Sequence, residues 1–177
     1  MTTGSRALGE MGARARWHAW SHSLMGSVAR IDYQVSLLLA LADARTNESA
    51  FRLLDTYQRV GLDQRTTMLA VLPDPVDNAG AFERVADWVS RLAGLRNLLA
   101  HSVIVDAESD FCRLDSVYRG RHRSRVISRA EMGYAHKMAG ESWVSLDWLT
   151  PKIADVEVWG HVMGFDDDQP DAGGGSQ

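Results

Sequence analysis

The spacing of apolar residues over the first hundred positions predicts a series of amphipathic α-helices. Leu24, Val28, Ile31, Val35 and Leu38 recur at the three- and four-residue intervals of one helical face. Thr46 supplies a cap for a second helix, and the Pro73-Asp74-Pro75 segment ends a third. Helices are therefore predicted over 13–45, 49–57, 63–72 and 81–101.

After position 101 the pattern changes from helical spacing to β-type segments. Residues 111–118 and 124–128 are rich in β-branched and aromatic side chains and flank Gly120, which predicts an antiparallel hairpin over about 110–128. Thr150 and Pro151 have the residue types of a helix N-cap and first turn. A last helix is therefore expected to begin there, with a buried face of Ile153, Val156, Trp159, Gly160 and Met163.

Length and composition indicate one globular domain. Of 177 residues, 45% are hydrophobic and 24% are charged, which suffices for a sizeable core. We expect a flexible N-terminus at 1–12, a domain at 13–165 and a disordered acidic, Gly-rich tail at 166–177. The net charge of −4 argues against a generally basic nucleic-acid binder. The single cysteine, Cys112, excludes an internal disulfide framework.

Localisation is expected to be cytoplasmic. No secretory signal is recognisable near the N-terminus, and no apolar run in the sequence approaches the length of a membrane span. A lone reactive thiol and a glycine-rich phosphate loop also lack support, because neither has its local signature here. The composition therefore favours a soluble cytosolic protein.

The predicted fourth helix places polar residues at its C-terminal end. Val85, Trp88, Leu92, Leu95 and Leu99 form the stripe expected to face the core. The opposite face carries small residues and two polar ones: Ala86, Ser90, Ala93, Gly94, Asn97 and His101. Arg96 falls at the edge of the apolar stripe, where a charge requires a carboxylate or an exit to solvent.

The segment Arg96-Asn97-Leu98-Leu99-Ala100-His101 resembles the Arg-polar-x(3–5)-His signature of HEPN domains, including its RNxxAH form. Residues 30–39 are similar to the first helix of such domains, and pattern-level similarity covers roughly 15–165. A histidine is also favoured at any helix C-terminus by the macrodipole. The resemblance implies a mainly α fold: a HEPN-like antiparallel helical bundle with a small β-hairpin inserted before the last helix.

The same resemblance implies a function and a set of site residues. The implied activity is a metal-independent endoribonuclease that uses the 2′-hydroxyl of RNA and leaves a 2′,3′-cyclic phosphate. Arg96, Asn97 and His101 would be catalytic, and no cofactor is expected. Asp32 would orient the motif by pairing with Arg96, although it could equally be a carboxylate at the helix edge facing water.

Partners are also implied by the resemblance. HEPN-like proteins commonly dimerise so that two motifs face one cleft, and the small-residue face of the fourth helix would permit close approach. We therefore expect a homodimer and an RNA substrate. A role as a toxin or in defence against phage, with an antitoxin or other regulatory protein, follows from the family alone.

Basic residues cluster at the predicted hairpin tip. Arg121, Arg123 and Arg125 alternate along one strand and would share a face suited to phosphates, with Arg119 beside them. The alternative is a solvated tip, or one that pairs with the acidic tail. His18 and His22 have a spacing that can chelate a metal, but no third ligand lies nearby, so no metal site is expected.

Two other functions stay open at this stage. One is a non-catalytic HEPN-like module that dimerises or binds a ligand. The other is a helical regulatory protein that binds nucleic acid through the segment from Arg119 to Arg129, with strongly salt-dependent affinity and no need for His101.

Overall fold

The computed structural model describes residues 3–75, 78–118 and 121–153, and within them the chain is mainly helical with one small antiparallel sheet. The sheet lies in the sequence between the fourth and fifth helices. The elements in chain order are α1 (Thr3–Asp43), α2 (Asn47–Arg59), α3 (Leu62–Ala70), α4 (Ala81–Ala100), β1 (Val103–Ala107), β2 (Phe111–Tyr118), β3 (Arg121–Ser128) and α5 (Arg129–Ile153).

The long helix α1 is the centre of the core. Its predicted apolar face is buried throughout, and it packs against α2, α3, α4, α5 and β1. The helix begins at Thr3, ten residues before the predicted start, so most of the segment expected to be flexible is helical. Ala7, Leu8, Glu10 and Met11 have high helix propensity, which favours continuation of the helix beyond its packed part.

The expectation that no apolar run approaches the length of a membrane span is wrong for α1. By length and composition, its Met11–Asp43 portion is apolar enough to cross a membrane, and it is the one such helix among the described residues. More than half of its most apolar window is buried inside the protein, as in the core helix of a globular domain. The apolar length of α1 is therefore not evidence that the helix crosses a membrane.

The predictions of the second and third helices are confirmed. Thr46 caps α2 with a capping box, in which its hydroxyl accepts from the Ser49 amide and the Ser49 hydroxyl accepts from the Thr46 amide. The helix α3 is two residues shorter than predicted at its C-terminus and begins after Gly61. Residues 76 and 77, between α3 and α4, lie outside the described part.

The sheet has three strands rather than the two predicted, in the order β1-β2-β3. The β2–β3 pair confirms the predicted hairpin, with Cys112 opposite Ile127 and Ser116 opposite Arg123. The strand β1 was missed because it is short and follows His101 almost without a break. Its pairing contains a bulge between Ile104 and Asp106.

Helix α1 anchors the sheet through two side chains. The Trp17 indole Nε1 donates to the Glu108 carbonyl oxygen at 2.8 Å, at the turn between β1 and β2. Arg14 Nη2 donates to the carbonyl oxygen of Val105, at the bulge, at 3.1 Å. Since Trp17 is almost fully buried, the first strand pair is held against the N-terminal half of α1.

The prediction of a helix start at Thr150 is wrong. These residues lie in the last turn of α5, which begins at Arg129, and the Thr150 hydroxyl donates back to the Leu146 carbonyl at 2.6 Å. The helix escaped detection because half of its buried face is small or polar, so its periodicity is weak. That face comprises Met132, Ala135, Met138, Ala139, Ser142, Leu146, Leu149 and Thr150. Of the predicted last-helix face, only Ile153 lies within the described residues.

Candidate active site

The three motif residues lie together on the surface, at the point where α4 ends. Arg96, Asn97 and His101 are all exposed. Arg96 Nη1 donates to Asn97 Oδ1 at 3.0 Å, so the two side chains form one unit. His101 is the C-cap residue, and its backbone amide donates to the Asn97 carbonyl at 3.2 Å. The helix terminus therefore presents a guanidinium, an amide and an imidazole side by side.

His101 lies in a cleft between α4 and the sheet, which we call the His101 cleft. Its volume is about 460 Å³. The walls bring together one end of α4, the start of β1 and the far ends of β2 and β3. The lining residues are Gly94, Asn97, Leu98, His101, Ser102, Ser116, Val117 and Arg123.

The register of the sheet explains why Arg123 reaches this cleft. Arg123 lies opposite Ser116, and the next residues on the same face are Leu114, Arg125 and Ile127. Leu114 and Ile127 are buried in the core. The face that carries Arg123 is therefore the core-facing side of the sheet, continued beyond the core to the end of α4.

The predicted row of arginines is present on that face. Arg121, Arg123 and Arg125 alternate along β3 and are exposed, and the Arg125 guanidinium donates to the Glu131 carboxylate. Only Arg123 lines the His101 cleft. Arg119, the fourth predicted RNA contact, lies outside the described residues.

A second cleft lies on the other side of Asn97, and we call it the Arg65 cleft. It has a volume of about 420 Å³ and is bounded by α1, α4 and the junction of α2 with α3. Asn97 lines both clefts, and Arg96 lines this second one. The polar and charged residues of its wall are Asp32, Gln58, Arg59, Asp63, Arg65, Arg96 and Asn97.

The predicted pairing of Asp32 with Arg96 is wrong. The Asp32 carboxylate forms an ion pair with Arg65 Nη2, and Arg65 Nη1 donates to the Asp32 carbonyl at 2.9 Å and to the Ser36 hydroxyl. The Arg65 side chain is only 5% exposed, so its charge has the greater need of an acceptor. Arg96 is exposed and reaches solvent instead, while Asp32 and Arg96 share the wall of the Arg65 cleft.

Arg65 was not among the predicted site residues, although the sequence carries a signal for it. Leu62 and Leu69 mark the buried face of α3, and Arg65 falls between them at helical spacing. A cation inside an apolar stripe requires a buried partner, by the same reasoning that was applied to Arg96.

The small-residue face of α4 is only partly available to a second chain. Ala86 and Ala93 are buried within the chain itself, whereas Ser90 and Gly94 are exposed. The physical reason is that α4 packs against α1 and α3 as well as α5, which needs a broader buried face than one stripe. The exposed part of the predicted face is Ser90, Gly94, Asn97 and His101.

Other chemistry-bearing residues lie apart from this site. The rings of His18 and His22 are 6.4 Å apart on the surface of α1, and the described part of the chain contains no group of three or more residues suited to hold a metal. Burial, with a smaller contribution from the Glu131 charge, raises the pKa of the Cys112 thiol to about 11. Such a thiol is protonated at neutral pH and is a poor nucleophile.

No family model, curated protein or solved structure matches this chain.

Proposed function

We propose that the chain is a metal-independent endoribonuclease of the HEPN type. The observation that carries the proposal is the His101 cleft: an imidazole, an amide and the guanidinium of Arg123 line one cavity, and Arg96 is bonded to that amide. Proton transfer and phosphate binding need these groups within one nucleotide of each other.

The reaction uses a nucleophile that the substrate itself supplies. The 2′-oxygen of one ribose attacks the adjacent phosphorus while His101 accepts the 2′-hydroxyl proton. The bond from phosphorus to the 5′-oxygen breaks, and that oxygen leaves with a proton from a second donor. The products are a 2′,3′-cyclic phosphate and a 5′-hydroxyl, and no step requires a cofactor.

The cations act on the charge of the phosphate. Negative charge increases on the nonbridging oxygens in the transition state, and guanidinium groups positioned beforehand stabilise it. Arg96 is the proposed clamp on the scissile phosphate, with Asn97 holding its guanidinium in place. Arg123 contributes from the opposite wall, and Arg121 and Arg125 continue the cationic face along β3.

A second copy of the chain is proposed as the source of the second proton donor. One cleft contains a single histidine among its lining residues, and acid–base cleavage is fastest with two proton carriers. The exposed remainder of the small-residue face, with Gly94 beside His101, leaves room for a twofold partner. An antitoxin or regulatory protein and a cytoplasmic location belong to the same proposal.

The test is RNA cleavage in EDTA by the wild type and by His101→Ala. General acid–base groups contribute about 10²- to 10⁴-fold, so the variant should lose at least about 100-fold in rate. His18→Ala is the matched control, because it removes an exposed histidine on α1 that lines neither cleft. Equal rates for wild type and His101→Ala, with both folded, would refute the assignment.

A non-catalytic nucleic-acid-binding module is the second candidate, and the exposed arginine face of β3 favours it. In that case no cleavage occurs, binding weakens steeply with salt, and Arg121→Gln or Arg123→Gln lowers the salt dependence while His101→Ala leaves it unchanged.

A further inference from the structure

The Arg65 cleft adjoins the proposed cleavage site, with which it shares Arg96 and Asn97, and the rest of its lining has no part in the proposed cleavage step. Arg59, Arg65 and Arg96 line it, against the carboxylates of Asp32 and Asp63. Asp32 is already paired with Arg65. The charges that face an incoming ligand are therefore the guanidinium of Arg96, the guanidinium of Arg59, whose ion pair with Asp55 is exposed to solvent, and the carboxylate of Asp63.

The N-terminus of α3 opens at the same cleft. Gly61 is its N-cap residue, and no side chain caps the amides of the first turn. Uncapped amides and the positive end of the helix dipole together favour an anion. Gly61 also lines the cleft, and a Cβ built on it would meet nothing within 4 Å. The backbone is therefore open to a ligand there.

The buried Arg65 is a second and independent indication of a ligand. The residue is 4% exposed, and its Nη1 and Nη2 atoms are occupied by Ser36 and Asp32. Its Nε is also buried, and it has no hydrogen-bond partner among the described residues. Buried donors without a partner are uncommon in native structures, and a bound ion or water is one recognised explanation for them.

We infer that the Arg65 cleft is a binding site for a phosphate group. Resting on the proposed function, that phosphate belongs to the nucleotide next to the scissile linkage. Asn97 lines both clefts, so an RNA strand that crosses it places one phosphate at His101 and a neighbouring one at Arg59 and the α3 N-terminus. Substrates with too few phosphates to occupy both clefts should bind more weakly.

The test compares Arg59→Gln with Arg52→Gln, in the His101→Ala background so that RNA stays intact. Both arginines are exposed on α2 and pair with an acid four residues earlier, but Arg52 does not line the cleft. Arg59→Gln should weaken binding of a single-stranded RNA hexamer roughly fivefold and reduce its salt slope by about one, with no effect on a dinucleotide. Equal binding of the hexamer by both variants would overturn the inference.

A second pair of variants tests the backbone part of the site. Gly61→Asp and Gly61→Asn both supply an N-cap acceptor at a φ of −59°, so both should fold and keep or raise the thermal midpoint. Only the aspartate adds a negative charge, so Gly61→Asp should weaken hexamer binding more than Gly61→Asn. Hexamer binding reduced equally by the two, or by neither, would contradict an anion at this helix end.

Adenosine monophosphate distinguishes the two sources of a phosphate. If the RNA strand is the ligand, Arg59→Gln affects the hexamer, and adenosine monophosphate binds weakly or not at all. If adenosine monophosphate binds with the same dependence on Arg59 while the hexamer does not, the cleft holds a free nucleotide, and the strand assignment is wrong. These binding measurements need no cleavage, so they stand even if the ribonuclease proposal fails.

Discussion

The two ends of α4 are built from similar polar residues, yet they use them differently. At the N-terminal end, the Asp74 carboxylate accepts from the Gly80 and Phe82 amides, the latter at 3.1 Å. Arg84 donates to the Ala79 carbonyl at 2.9 Å and to Asn78 Oδ1 at 2.6 Å. The polar groups here are engaged in holding the chain as it enters the helix.

At the C-terminal end the polar groups face outward. Arg96 bonds to its neighbour Asn97, and across the described residues the His101 side chain makes no hydrogen bond or ion pair. Two clefts open on either side of Asn97. The comparison shows that polar side chains whose hydrogen bonds are satisfied within their own network stabilise the fold, whereas a side chain that lines a cleft with unused donors and acceptors, such as His101, is a candidate for chemistry.

Among variants that leave the catalytic side chains in place, the largest effect should come from filling the His101 cleft at Gly94. This glycine is exposed on α4, and a Cβ there would meet nothing within 4 Å. Gly94→Leu therefore starts from an unhindered Cβ and places a side chain in the cleft. We expect RNA cleavage to fall roughly 100-fold, because the leucine displaces the substrate or the proposed twofold partner. Its thermal midpoint should be unchanged or slightly raised, since leucine favours a helix over glycine.

Gly140→Leu is the matched control for Gly94. Gly140 is also an exposed helical glycine with open space around it, and it lies on α5 away from both clefts. The control should cleave at the wild-type rate. Loss of RNA cleavage in both variants, or in neither, would contradict the proposal that cleavage takes place in the His101 cleft.

An intermediate effect is expected at Asp32, and it should appear in stability. Asp32→Asn removes the charge that faces the buried Arg65, while Asp32 itself is 38% exposed. We expect the free energy of unfolding to fall by about 1–2 kcal/mol, below the range for a fully buried pair. Asp87→Asn is the control, because it breaks an exposed ion pair with Arg91 and should cost less than about 1 kcal/mol.

The rate of RNA cleavage per folded molecule of Asp32→Asn distinguishes a pairing of Asp32 with Arg65 from a pairing of Asp32 with Arg96. Because Asp32 pairs with Arg65 and not with Arg96, the rate per folded molecule should stay within a few-fold of wild type. A large fall in that rate at unchanged stability would restore a role for Asp32 in orienting Arg96.

The smallest effect is a pH dependence at the N-terminal end of α4. Hydrogen bonds from the backbone amides of Phe82 and then Gly80 hold the pKa of Asp74 below its usual 3.8. A carboxyl group with a lowered pKa adds stability above its unfolded pKa, and that stability is lost as the pH falls through the folded value. Asp74→Ala should therefore lower the thermal midpoint at pH 7, and the difference from wild type should shrink as the pH falls from 3.8 through the lower pKa of the folded protein.

Asp74→Ala should leave RNA cleavage at pH 7 unchanged, because the carboxylate caps the far end of α4. A difference in midpoint that persists unchanged into strong acid would contradict the charged cap. A loss of cleavage without loss of stability would contradict the contrast between the two ends of the helix.

The sequence predicted the elements that have strong periodicity or clear end signals. The bounds of α4 were predicted to within one residue, because its apolar stripe is regular along its whole length. The prediction was 81–101, and the helix spans Ala81–Ala100 with His101 as its C-cap residue. The hairpin of β2 and β3 was found from its β-branched residues. The start of α5 could not be found in the same way, because alanine and serine alternate with methionine on its buried face.

The sequence identified residues of the candidate site, but it did not predict how those residues are arranged in space. Arg123 lies 22 positions after His101 in the sequence, and only the β2–β3 register brings it to the end of α4. The pairing of Asp32 depended on which of two arginines is more deeply buried. That depends on how α3 packs against α1 and α4, which no local pattern of residues specifies.

The most direct test of the central claim is the chemistry of the cleaved RNA ends, produced by the wild type in EDTA. The account predicts a 2′,3′-cyclic phosphate and a 5′-hydroxyl, and no cutting of a strand that carries a 2′-deoxyribose at the scissile position. A 3′-hydroxyl with a 5′-phosphate, or cleavage of the deoxy-substituted strand, would show that the attacking oxygen is not the 2′-hydroxyl and would contradict the account.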